Sequence, residues 1–222
     1  MEDRIYNNKI ILILYILFAV GVLYVLEQIL NVFILYKILF KILLFLVIPI
    51  IILGKERTLS LINIKKNNLR WLTWILSILV LVTIIITYVI LSNTIDLGFI
   101  AEELENNVWV NKMIFPFVAI YITFFNAFFE EFFFRGFVFY HTVKNRFWKY
   151  FFNSFLFSIY HVGIFATWFA WYNFLLALIW LIIGGLIFSY VNEKNETIIN
   201  GYIVHVFADI AIILIWIKMF YF

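Results

Sequence analysis

Long apolar runs alternate with short polar ones along the whole chain. The runs fall at about residues 10–26, 32–53, 71–92, 113–134, 148–165, 169–190 and 197–218. Each is roughly 17–22 residues long, and a helix rising about 1.5 Å per residue needs about 20 to cross a hydrocarbon core. The polar stretches between the longer runs read GKERTLSLINIKKNNLR (54–70), NTIDLGFIAEELENNVWVNK (93–112), HTVKNRFWK (141–149) and VNEKNE (191–196). No repeat, low-complexity tract or long linker breaks the pattern. It predicts an all-α, polytopic transmembrane bundle of about seven helices, with residues 1–222 as a single membrane domain. The stretch 54–70 reads as a loop rather than as a functional amphipathic helix.

Composition supports the bilayer reading. Of 222 residues, 66% are hydrophobic and only 13% charged, about half the charged share of an ordinary soluble domain. Cysteine is absent, which excludes disulfides, a thiol nucleophile and thiolate metal ligands. The bulky GVLYVLEQIL at the end of the first run offers no small-residue cleavage site, so that run reads as an uncleaved helix.

The charges then orient the bundle. Arg4 and Lys9 precede the first run, and Lys55, Arg57, Lys65, Lys66 and Arg70 follow the second. Lys144, Arg146 and Lys149 follow the fourth, and Lys194 the sixth, whereas the other side has only Lys112 and Lys218. Seven crossings with a cytoplasmic N-terminus put every basic loop inside. The expected location is a multi-pass protein of a bacterial cell membrane. Lys37 and Lys41 do not follow this pattern, because both lie inside the second run, four apart on one face. They either snorkel to an interface, face the bundle, or mark a run drawn in the wrong place.

Ionisable groups inside spans are rare and costly, which makes them candidates for chemistry. Within NAFFEEFFFRGFVFYH (126–141), Glu131 and Arg135 are four apart, with the acid N-terminal to the base, the favourable order for an ion pair. Glu130, about 100° away round the helix, is then left without a local partner and free to work. His161 lies in the fifth run, four residues after Phe157, and His205 and Asp209 are four apart in the seventh. A carboxylate, two imidazoles and another carboxylate can converge from three helices to hold a water or a divalent metal. Counting residues from the span ends puts His161 deeper than Glu130 and His205, unless the fifth helix starts late or tilts. Taken singly, each residue also has a packing role: an interhelical hydrogen bond for the histidines, a structural pair for Glu131 and Arg135, a counter-charge to a lysine for Asp209.

At these positions the sequence resembles the CPBP family of intramembrane proteases, which includes the type II CAAX prenyl endopeptidases and the Abi-like, bacteriocin-processing proteins. The family's motifs are two glutamates followed after three residues by arginine (Glu130, Glu131, Arg135), Phe-x-x-x-His (Phe157, His161) and His-x-x-x-Asn (His205, Asp209). The resemblance covers about residues 110–215 as a catalytic core and leaves 1–110 as variable N-terminal helices. It implies peptide-bond hydrolysis at the membrane. Glu130 with His161 activates a water, His205 and Asp209 hold the substrate carbonyl, and Glu131, Arg135 and Phe157 support them. Asp209 stands where asparagine is common, and an ionised carboxylate cannot donate to an oxyanion. It is therefore either protonated or serves as an acceptor or ligand.

The favoured reading needs no cofactor. Zinc bound by Glu130, His161 and His205 is the alternative, without the local His-Glu-x-x-His arrangement. The expected partners are a small peptide or protein substrate and the lipid bilayer, with no nucleic acid, and the oligomeric state is open. Two rival functions use the same residues: a non-catalytic immunity or scaffold protein, and a small proton-coupled transporter, which finds no support in inverted repeats.

Overall fold

The computed structural model describes residues 9–64 and 71–222. Arg4, Lys65, Lys66 and Arg70 lie outside the described residues, as does the end of the 54–70 stretch. Among the described residues eight helices follow one another: α1 (Lys9–Ile29), α2 (Ile34–Leu61), α3 (Trp71–Leu91), α4 (Leu97–Val108), α5 (Phe115–His141), α6 (Arg146–Phe165), α7 (Trp171–Glu193) and α8 (Ile199–Tyr221). No strand occurs among the described residues. The protein is an all-α, multi-pass membrane bundle.

Six of these helices, all but α4 and α6, are long and apolar enough to cross a membrane. The seventh expected crossing is α6, which has 20 residues and runs between the same two ends. It is less apolar because Asn153, Ser154 and Ser158 are buried against the bundle and His161 points into it.

Polar contacts define the two ends. At one, Arg146 pairs with Glu193 at 2.8 Å, Arg57 with Glu196 at 3.6 Å, and Tyr140 donates to the carbonyl of Asn192 at 2.9 Å. At the other, Asn173 donates to the carbonyl of Thr94, Thr167 to Glu103, both at 3.1 Å, and Tyr221 to the carbonyl of Lys112 at 2.9 Å. The predicted basic loops share the end with Arg57 and Arg146. The chain has no cysteine, so the sidedness can be read directly. A cysteine at position 144 is expected to resist an impermeant thiol reagent in intact cells, and one at 105 to react. Labelling at 144 from outside would reverse the orientation.

Three boundaries differ from expectation. The 93–112 loop contains α4, capped by Asp96 accepting from the Phe99 amide at 2.9 Å and closed by Trp109 in the left-handed region. Its buried Ile100 and Leu104 pack against the start of α5 and the end of α8. α2 does not stop at residue 53. It breaks at Gly54, whose φ of 74° suits glycine, then resumes to Leu61. Leu61 is buried with Phe132 and Ile198, and its carbonyl takes the Ile198 amide at 3.0 Å. α5 continues beyond 134 to His141, because Arg135 is neutralised within the helix and does not end it.

α5 is the axis of the bundle, and every residue from Glu131 to Val138 is buried. α1 and α2 pack directly on it. Phe45 of α2 lies parallel to Phe133 at 4.0 Å between ring centroids, and Tyr15 of α1 donates to the carbonyl of Leu44. α5 is π-helical over Tyr121–Asn126 and Glu131–Val138, and α2 over Ile42–Val47. The wide turns of α5, a feature that recurs at functional sites, flank Glu130 on both sides.

Candidate active site

Glu130, Glu131 and Arg135 are fully buried. Isolated, each charge would be very unfavourable there, so their partners decide the arrangement. Glu131 and Arg135 form the expected pair at 3.0 Å. The guanidinium also lies over two rings, 4.1 Å from the centre of Phe157 and 4.9 Å from that of Phe188, where cation–π attraction adds to the pairing. Phe157 thus supports Arg135 on one side and touches the His161 ring, 4.5 Å away, on the other.

Glu131 has a further role. Its Oε1 lies 3.1 Å from Nδ1 of His205, and its Oε2 accepts from Asn192 of α7 at 3.4 Å. Asn192 in turn accepts from the Gly201 amide at 2.7 Å. A Cβ at Gly201 would fall 2.6 Å from Glu131 Oε2. Gly201→Ala is therefore expected to destabilise the protein by about 1–3 kcal/mol through overpacking, seen as a lower thermal midpoint in detergent. An unchanged midpoint would show that Asn192 and Glu131 can move aside.

Glu130 is not left without partners, which corrects the expectation from sequence. Asn126, one turn earlier, donates to its Oε1 at 2.8 Å, Tyr160 of α6 donates at 3.1 Å, and Lys41 of α2 lies 3.3 Å away. Lys37 pairs separately with Glu27 at 3.1 Å. Both intramembrane lysines therefore face carboxylates, and Asp209 is not the counter-charge to either. The two glutamates also do not serve separate faces. The ring of His205 spans them, with Nδ1 on Glu131 and Nε2 3.8 Å from Glu130 Oε2.

Oε2 of Glu130 is buried and has no hydrogen-bond partner. His161 Nε2 stands 3.7 Å from it, and Asp209 Oδ1 lies 3.8 Å from His205 Nε2. These distances exceed direct hydrogen bonds, so the four groups converge without saturating one another. His161 Nδ1 lies 2.8 Å from the Phe157 carbonyl. A carbonyl only accepts, so Nδ1 carries the proton and a neutral His161 presents a lone pair at Nε2. The depth mismatch is resolved without a late start, since α6 begins at Arg146, capped by Asn145. Tyr160 and His161 of α6 nonetheless reach Glu130, at 3.1 and 3.7 Å.

The structure therefore brings together all seven residues singled out in the sequence. Lys41, Asn126, Tyr160, Asn192 and Gly201 were not anticipated. Asn126 could have been found, since it is four residues before Glu130, the spacing that let Arg135 be paired with Glu131. Among the described residues no group of three or more His, Asp or Glu side chains is arranged to hold a metal ion.

No curated protein and no solved structure matches the chain. Residues 112–211 match the protein family described as type II CAAX prenyl endopeptidase Rce1-like. The matched stretch runs from just before α5 into α8 and contains both glutamates, Arg135, His161, His205 and Asp209. This stretch, 100 of the 222 residues, is similar to the Rce1-like type II CAAX prenyl endopeptidases of the CPBP family, which are membrane proteases.

Proposed function

We propose that the protein is an endopeptidase that hydrolyses a peptide bond through a water activated by Glu130. The observation that carries this reading is Glu130 Oε2, a fully buried carboxylate oxygen without a hydrogen-bond partner that faces two imidazole Nε2 atoms. A water resting against Oε2 and His161 Nε2 meets two acceptors. It gives up a proton to one of them as its oxygen attacks the scissile carbonyl, the geometry required of a general base. His205, its Nδ1 held by Glu131, turns Nε2 toward the carbonyl oxygen. A proton on Nε2, or on Asp209 Oδ2, which is also buried without a partner, supplies the donor for the oxyanion. The proton taken by Glu130 or His161 then goes to the leaving amine.

The reading requires no metal. The substrate is a small peptide or protein reaching the site at the membrane, in a bacterial cell membrane with the basic loops in the cytoplasm. The test uses purified protein and a quenched fluorescent peptide with a farnesylated CAAX end, beside its unprenylated copy. Cleavage is expected from the wild type with or without a chelator, and not from Glu130→Gln. Loss of cleavage on chelation would replace the free water by a metal-bound one. Cleavage by Glu130→Gln at the wild-type rate would remove the mechanism.

A further inference from the structure

We propose that Lys41 is a positioning residue of the active site, which with Asn126 and Tyr160 fixes Oε1 of Glu130 and so reserves Oε2 for the reaction. The inference rests on Glu130 acting on the water. It adds a residue outside the matched stretch 112–211.

The contacts on the two carboxylate oxygens are unequal. Lys41 Nζ at 3.3 Å, Asn126 Nδ2 at 2.8 Å and Tyr160 Oη at 3.1 Å all address Oε1. None addresses Oε2, which has only the more distant imidazoles before it. Three donors on one oxygen fix the rotation of the carboxylate plane. The ammonium also supplies the counter-charge that a fully buried carboxylate needs. Lys41 is itself held, since it donates to Asn126 Oδ1 and lies 5.1 Å from the centre of the Tyr160 ring. Only one orientation of the Asn126 amide satisfies both neighbours, with oxygen toward the ammonium and nitrogen toward the carboxylate. The triad Lys41–Asn126–Tyr160 is therefore a closed cradle around one oxygen. Snorkelling does not explain it, because the Lys41 side chain is only 13% exposed and its nitrogen points to the fully buried Glu130. Lys37, one turn earlier, has its own partner and serves as a control.

The experiment compares purified wild type with Lys41→Met, Lys41→Arg, Lys37→Met, Glu130→Gln and Lys41→Met/Glu130→Gln. Thermal unfolding in detergent reads the pair, and kcat and KM on the farnesylated CAAX peptide read its use. Lys41→Met is expected to lower kcat by about 10- to 100-fold, the size of a lost positioning contact, with KM nearly unchanged. Lys41→Arg should recover part of the loss, and Lys37→Met should leave kcat at the wild-type value. Lys41→Met should also lower the thermal midpoint, and Glu130→Gln in the same chain should restore most of that loss. Independent, additive shifts for Lys41→Met and Glu130→Gln would overturn the proposal, whatever the activity. An inactive Glu130→Gln beside a Lys41→Met with wild-type kcat would overturn the role of Lys41 alone. A fully active Glu130→Gln would overturn both this role and the water-activating reading.

Discussion

Glu130→Gln is expected to leave a folded protein whose peptide turnover falls by about 10²- to 10⁴-fold, the usual contribution of a general base. The substitution keeps size and shape. The amide oxygen of the new side chain can still accept from Asn126 and Tyr160 in the places where Oε1 now accepts. What is lost is basicity at the atom facing His161 and His205. The new amide N–H₂ would point at the His161 lone pair and could not take a proton from the water. Lys41 loses its carboxylate but keeps the Asn126 oxygen and the Tyr160 ring, which limits the damage to the fold. Turnover and thermal unfolding measured on one preparation separate the two effects. A folded, fully active variant would move the chemistry elsewhere.

Arg135→Met is expected to have the larger effect on stability, about 3–5 kcal/mol, because it leaves a buried carboxylate without its cation. The guanidinium also lies over the rings of Phe157 and Phe188, and a methionine cannot reproduce that attraction. Glu131 would be left with His205 and Asn192 alone, so the orientation of His205 suffers as well. The double variant Glu131→Gln/Arg135→Met should recover a good part of the lost midpoint, since it removes both charges together. A double variant no more stable than Arg135→Met would mean that ring packing, not charge, is what the arginine contributes.

Much of this arrangement was legible in the sequence because helices impose periodicity. Spacings of four placed Glu131 with Arg135, Phe157 with His161, and His205 with Asp209, and the structure keeps each pair on one face. The apolar runs located the spans because the bilayer sets their length. The limits were equally physical. Asp96 before the apolar positions 97, 100 and 104 marks a helix start, but α4 is short and half polar, so it resembled a loop. Gly54 ended the second apolar run without ending the helix, since a single positive φ bends the chain and Leu61 still finds a buried site. The partner of Glu130 was hidden for a different reason. Lys41 lies 89 positions earlier in the chain, and no local pattern states which lysine meets which acid. The lysines in the second run were visible as an anomaly, and only the packing of α2 on α5 resolves it.

That packing constrains how the chain can change. Position 41 and position 130 hold opposite charges in one buried place, so replacing either alone removes the other's counter-charge. Losing the lysine first leaves a carboxylate among aromatic rings, and losing the glutamate first leaves an ammonium there. Both single-step mutational paths pass through a weakened intermediate. A chimera that transplants only residues 112–211 into the amino-terminal helices of another chain would take that step unwittingly, and it should carry residue 41 along with the core.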